Sequence, residues 1–96
     1  MGSYENFATV YDRLMREDID YDKWADYIED IFAHFGKTPK LICDLACGTG
    51  NITIPMAKKG YDMIGVDKSP QMLSIAREKT AREGLDIMFL DRKSTL

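Results

Sequence analysis

The chain has 96 residues, of which 45% are hydrophobic and 30% are charged, and this length predicts a single small domain. Its 13 basic and 16 acidic residues give a net charge of −3, which argues against nucleic acid or an anionic membrane as the main partner. No apolar run is long enough to span a bilayer, and the two cysteines, Cys43 and Cys47, lack the spacing of a zinc site. We therefore expect a cytoplasmic protein with no structural metal.

The first part of the sequence predicts two amphipathic helices. The first helix is expected over residues 4–16 and the second from about residue 24 to Gly36, which suits a left-handed helix end. Apolar residues recur at steps of three and four along the second helix, and we expect this stripe to lie in the core. Its members are Trp24, Tyr27, Ile28, Ile31, Phe32 and Phe35.

The remainder alternates short apolar runs with helix signals. Strands are expected at residues 41–45, 63–66 and 87–90, the first of them as a buried strand. Asn51 is a candidate cap for a helix that ends near Gly60, and Ser69 followed by Pro70 is a strong start for a helix that ends near Gly84. This alternation predicts an α/β fold with a parallel sheet and right-handed crossovers.

A candidate ligand site lies at the turn Asp44-Leu45-Ala46-Cys47-Gly48-Thr49-Gly50, between the first strand and its helix. Small residues let the backbone turn sharply and let a ligand touch the main chain, and free amides at the helix start favour a carboxylate or a phosphate. Asp67, at the end of the next strand, can accept hydrogen bonds from both hydroxyls of a ribose. The alternative for Asp67 alone is a solvated acid at a strand end.

The dinucleotide fingerprint G-x-G-x-x-G is incomplete here, because Ile52 and Thr53 stand where its third glycine could fall. The turn instead resembles motif I of the class I S-adenosylmethionine-dependent methyltransferases. The segment at residues 65–73 resembles the segment that follows motif I, and residues 7–15 are similar to the N-terminal helix of bacterial relatives that methylate small molecules. The resemblance extends from about residue 4 to residue 90.

The resemblance implies a Rossmann-like parallel sheet with N-terminal helices, truncated to about three strands. Residues 1–38 would form a helical lid, and residues 39–96 a partial domain that binds S-adenosyl-L-methionine. The residues implied as cofactor contacts are Tyr11, Asp44, Ala46, Cys47, Gly48, Asp67, Lys68 and Met72.

The resemblance assigns each of these residues to one portion of the cofactor. The backbone of residues 46–48 would approach the methionine end, Asp44 would order its amino group, and Asp67 would take the ribose hydroxyls. Lys68 and Met72 would border the adenine. Tyr11 would close over the methionine portion, with plain core packing as the alternative. Cys47 has no neighbouring base in the sequence, so we do not expect it to be a nucleophile.

Two departures from the family pattern stand out. An acid expected near position 93 is replaced by Lys93, so either Asp91 substitutes for it or the last residues are not native to the fold. The family sheet has seven strands in the order 3-2-1-4-5-7-6, of which this sequence covers three. The first strand would then have an open apolar edge, and we expect self-association through it or a missing partner segment.

The sequence therefore predicts the cofactor-binding portion of a methyltransferase that acts on a small molecule. The acceptor and the catalytic residues are not assignable, and this chain alone is expected to be inactive. One alternative is a non-catalytic nucleotide-binding or scaffold module. Another is the nucleotide half of an NAD-dependent dehydrogenase, against which the missing third glycine argues.

Overall fold

The structure, a computed structural model, describes Thr9 and residues 20–92. Most of the helix expected over residues 4–16 lies outside these residues, as do Tyr11 and Lys93. Thr9 itself is helical. No helix in the described ranges is long and apolar enough to cross a bilayer.

Helix α1 comprises Tyr21–His34. Its start is fixed by Asp20, whose side chain accepts a hydrogen bond of 3.2 Å from the amide of Lys23. The chain leaves the helix through Gly36, where φ is +67°, a conformation that glycine adopts at little cost. The predicted end of this helix is therefore confirmed.

The prediction that Trp24 belongs to the core is wrong, because 52% of its surface is exposed. The apolar face of α1 consists of two neighbouring stripes, and only one of them packs against the rest of the domain. The packed stripe is Ala25, Ile28 and Phe32. Trp24, Tyr27 and Ile31 each lie one position earlier, about 100° around the helix, and remain exposed in the part of the chain that the structure describes.

The rest of the chain alternates strands and helices as predicted. In chain order the elements are β1 (Leu41–Asp44), α2 (Thr53–Lys58), β2 (Asp62–Asp67), α3 (Pro70–Arg82) and β3 (Met88–Asp91). The strands form a parallel sheet in the order β1-β2-β3. The predicted α/β class and parallel sheet are therefore confirmed.

Of the two helix caps predicted from the sequence, one is confirmed and the other is wrong. Ser69 caps α3, where its side chain accepts a hydrogen bond of 3.2 Å from the amide of Met72. Asn51 does not cap α2, because that helix begins after Ile52 without a side-chain cap. The Asn51 side-chain oxygen instead accepts a hydrogen bond of 3.1 Å from Lys79 on α3. A partner distant in sequence therefore replaced the expected local contact.

One face of the sheet carries the core. Met63 on β2 packs with Met56 of α2, and Phe89 on β3 packs with Leu73 of α3. The strand register places Met63 and Phe89 on the same face, so both helices cover one side of the sheet.

The opposite face is open among the described residues. Leu41, at the start of β1, has 63% of its surface exposed, so the expectation of a fully buried first strand is wrong. Leu90 on β3 shares this face and is also exposed. Because β1 is the end strand of the described sheet, its outer edge is unpaired there, as the sequence predicted.

Candidate functional site

The turn after β1 is built on glycines in left-handed conformations. Gly48 has a φ of +55° and Gly50 a φ of +84°, which other residues adopt only with strain. The amide of Gly50 donates to the carbonyl of Cys47 at 2.9 Å, and this bond closes the turn. The amide of Ile54 then donates to the carbonyl of Gly50 at 3.0 Å, which leads the backbone into α2.

Asp67 joins this turn to the end of the neighbouring strand. Its Oδ2 accepts a hydrogen bond of 2.9 Å from the amide of Gly48, and its Oδ1 accepts one of 2.9 Å from the amide of Ser69. The amide of Cys47 also donates to the carbonyl of Val66 at 3.0 Å. The glycine turn and the carboxylate predicted from the sequence therefore occupy the same end of the sheet.

Gly65 allows this close approach. A Cβ atom added there would lie 2.7 Å from the ring atoms Cδ1 and Cε1 of Phe89 and 3.0 Å from Sγ of Cys47. A distance of 2.7 Å between carbon atoms is shorter than such contacts allow, and a distance of 3.0 Å to sulfur is tighter than most contacts of a Cβ atom. The absence of a side chain at Gly65 thus lets Phe89 and Cys47 pack over the middle strand.

Asp44, the last residue of β1, is held by α2. Its Oδ2 accepts a hydrogen bond of 2.8 Å from Oγ1 of Thr53, the first residue of that helix. Its Oδ1 lies 3.4 Å from the amide of Ala46, a long and weak contact. One carboxylate oxygen is therefore firmly bound inside the protein and the other only loosely.

A cavity of about 340 Å³ opens beside the turn. The predicted contacts Asp44, Ala46, Cys47 and Gly48 line it, and Tyr21 of α1 lines it from the other side. Asp67 is not among the lining residues of this cavity, although its Oδ2 accepts a hydrogen bond from the amide of Gly48, which is.

The remaining predicted contacts lie elsewhere. Lys68 is exposed and Met72 partly buried after β2, and the structure does not place either of them on the cavity. Tyr11 lies outside the described residues. Asp91 is the last residue of β3, exposed and in register with Asp67.

Cys47 is held in its neutral form. Burial, together with the nearby carboxylates of Asp44 and Asp67, raises the pKa of its thiol to about 12. A thiol with this pKa is protonated at neutral pH and is a poor nucleophile. This agrees with the expectation from the sequence. Among residues 20–92 and Thr9, no group of three or more His, Cys, Asp or Glu side chains could hold a metal ion.

Comparison with known proteins gives the family. The family described as "Methyltransferase domain" matches residues 42–95. YqeM of Bacillus subtilis, which is named as a methyltransferase, is 43% identical over 89 residues that make up 93% of this chain. This chain belongs to the class I S-adenosylmethionine-dependent methyltransferases. The resemblance seen in the sequence is therefore confirmed.

A solved structure supports the fold assignment within this methyltransferase family. The S-adenosylmethionine-dependent methyltransferase of Clostridium acetobutylicum matches with a TM-score of 0.76 and 37% identity over 96% of this chain. A shorter match is to a 23S rRNA (uracil(1939)-C(5))-methyltransferase, RlmD of Shewanella sediminis, at 46% identity over 50 residues, or 52% of this chain and 11% of that protein.

This chain spans about a third of the length of two relatives that match most of it. It covers 34% of YqeM and 37% of the Clostridium structure. All three relatives named above carry the name of a methyltransferase, and none of the three is named as a dehydrogenase.

Sequence reasoning missed two residues of the site. The sequence marks Thr53 only as a position where a third glycine could fall, although a threonine in the first turn of this helix can reach the acid that ends β1. Tyr21 follows the helix cap Asp20 directly, and an aromatic residue at a helix start gives no signal of which cavity it will face.

Proposed function

We propose that this chain binds S-adenosyl-L-methionine at the turn after β1 and forms the cofactor-binding portion of a methyltransferase. The observation that carries the proposal is the hydrogen bond of 2.9 Å between Asp67 and the amide of Gly48. It brings a carboxylate suited to ribose hydroxyls next to backbone that a ligand can touch, which is the arrangement that a nucleoside with a charged tail requires. The adjoining cavity of about 340 Å³ supports the same interpretation.

Each part of the cofactor has a proposed contact. The backbone of Ala46, Cys47 and Gly48 approaches the methionine end, where Asp44 holds the amino group. Asp67 accepts hydrogen bonds from the ribose hydroxyls, because a carboxylate has about four acceptor positions and two amides use only part of them.

The outer contacts are those that the family resemblance implied. Lys68 and Met72 border the adenine at the exposed end of β2 and the start of α3. Tyr11 and the rest of residues 1–38 act as a helical lid over residues 39–96.

The described half of the proposed lid is anchored to the sheet domain. Lys59 forms ion pairs with Asp26 and, at 3.3 Å, with Glu29 of α1. The hydroxyl of Tyr61 donates to Glu29 at 3.0 Å, and the hydrogen bond to Asp26 raises the pKa of Lys59.

The bound cofactor would supply an electrophilic methyl group on a sulfonium, and much of the catalysis of such a transfer is positioning of the acceptor. We propose a small molecule as the acceptor of the whole protein, acting in the cytoplasm, where the free thiols of Cys43 and Cys47 are stable. The match to an RNA methyltransferase involves only 11% of that protein. The net charge of −3 also disfavours a phosphate backbone as partner.

Calorimetric titration of the chain with S-adenosylhomocysteine and, separately, with NAD tests the proposed function. We expect saturable binding of S-adenosylhomocysteine and no binding of NAD, because the turn lacks the third glycine of the dinucleotide fingerprint. Binding of NAD alone would favour the nucleotide half of a dehydrogenase. If neither ligand binds, the proposed function is wrong for this chain.

We also propose that the chain self-associates through the open edge of β1. An unpaired strand edge beside exposed apolar side chains favours pairing with another copy. We expect light scattering at micromolar concentration to detect dimers or larger species, and Leu41→Lys to reduce them, because a charge on an edge strand opposes pairing. Leu90→Lys, on the opposite edge strand, is the matched control. A monodisperse monomer for the unaltered chain would contradict this proposal.

A further inference from the structure

Thr53, at the start of α2, contacts a carboxylate of the candidate site. It is fully buried, and its Oγ1 lies 2.8 Å from Oδ2 of Asp44 on the neighbouring strand. Thr80, a buried threonine in the interior of α3, makes a different contact, in which its hydroxyl donates to the backbone carbonyl of Ala76 one turn earlier at 2.7 Å. The hydroxyl of Thr53 instead forms its hydrogen bond with the carboxylate of Asp44 in the candidate site.

The direction of this hydrogen bond follows from the chemistry of the two groups. An ionised carboxylate only accepts, so the hydroxyl of Thr53 donates its single proton to Asp44. Oδ2 of Asp44 is thereby fixed from the buried side of the sheet. Oδ1 has only the weak contact of 3.4 Å with the amide of Ala46, so it keeps acceptor capacity.

The position of Asp44 in the fold makes its carboxylate accessible to a ligand. Asp44 lines the cavity beside the turn, whereas Thr53 is not among its described lining residues. A carboxylate that is already held in one orientation through one oxygen loses less conformational entropy when a cation binds to its other oxygen. The arrangement therefore suits a positively charged donor group, such as a primary ammonium.

We infer that Thr53 is a positioning residue that orients the carboxylate of Asp44 toward the ammonium of the amino-acid portion of the ligand. This inference rests on the proposed function. Thr53 does not line the cavity, but through Asp44 it favours the binding of nucleosides that carry an amino-acid tail over nucleosides that lack one.

The test compares two ligands and matched variants of the chain. S-adenosylhomocysteine carries the ammonium, and 5′-methylthioadenosine keeps the adenine, ribose and sulfur but lacks the amino-acid portion. Thr53→Val keeps the shape of the side chain and removes the hydroxyl, Thr53→Ser restores a hydroxyl, and Thr80→Val removes a buried hydroxyl remote from the cavity. If Thr53→Val does not give a cooperative thermal transition, Thr53→Ala removes the same hydroxyl without added bulk.

We expect Thr53→Val to weaken binding of S-adenosylhomocysteine about tenfold, the effect of losing one hydrogen bond to a charged group. Binding of 5′-methylthioadenosine should change less than about twofold, Thr53→Ser should restore most of the affinity, and Thr80→Val should leave both ligands unaffected. In an Asp44→Asn background, Thr53→Val should have little further effect on S-adenosylhomocysteine, because the two residues act as one unit.

Two results would overturn the inference while leaving the proposed function intact. One is equal weakening of both ligands by Thr53→Val, and the other is failure of Thr53→Ser to restore affinity. If the unaltered chain binds neither ligand, the proposed function fails and the inference fails with it.

Discussion

Replacing Asp67 with alanine is expected to weaken the binding of S-adenosylhomocysteine roughly a hundredfold. Each hydrogen bond between a carboxylate and a ribose hydroxyl contributes about 1.5 kcal/mol, and two of them amount to a factor of about a hundred in affinity. The same substitution frees the amides of Gly48 and Ser69, so the turn should also become less ordered. Calorimetric titration measures the loss.

The controls for Asp67 come from the same strand. Asp62→Ala removes an exposed carboxylate at the opposite end of β2 and should leave affinity unchanged. Asp67→Asn keeps one acceptor oxygen but places an NH₂ group near a backbone donor, so its affinity should fall between those of the unaltered chain and Asp67→Ala. Unchanged affinity in Asp67→Ala would show that the ribose is bound elsewhere.

Substitution of Gly65 by alanine is expected to lower the free energy of unfolding by about 2 kcal/mol, the usual effect of overpacking a filled core. The new Cβ would meet the Phe89 ring at 2.7 Å and Sγ of Cys47 at 3.0 Å. Gly65 is not in a left-handed conformation, so steric overlap and not backbone strain accounts for the expected effect. Urea unfolding followed by circular dichroism measures the change.

Phe89→Leu provides the matched test, because it removes the ring atoms that the new Cβ would meet. The double variant Gly65→Ala with Phe89→Leu should be more stable than the sum of the two single effects predicts. Strictly additive effects would mean that Gly65 and Phe89 do not interact as the distances indicate.

Local chemistry accounts for the elements that the sequence predicted well. Ser69 followed by Pro70 marks the start of α3 because both act on the first turn of the helix itself. Gly36 and Gly84 mark helix ends because φ values of +67° at both positions are accessible to glycine. These signals need no knowledge of the rest of the fold.

The site itself was predicted in part. Asp44, the glycine turn and Asp67 form a recognisable spacing, and the structure brings them to the same end of the sheet. Their hydrogen-bond partners were not predictable, because the contact of Thr53 with Asp44 depends on how α2 packs against β1.

Two of the failures arise because packing between residues distant in the sequence decides the outcome. Asn51 has the right chemistry for a helix cap, but Lys79 on α3 binds its oxygen. Trp24 lies in an apolar stripe, but helical periodicity does not reveal which of two adjacent stripes faces the sheet. Burial and partner choice are therefore properties of packing and not of local sequence.

Asp67 restrains the glycine turn through a contact within the protein, because its carboxylate binds the amide of Gly48. The conformational entropy lost in ordering this loop would thus be lost when the chain folds and not when the proposed cofactor binds. Binding of the proposed cofactor to the glycine turn should accordingly require little rearrangement of the main chain. The carboxylate that we propose to bind the ribose would in this way also hold the binding turn in place from one binding event to the next.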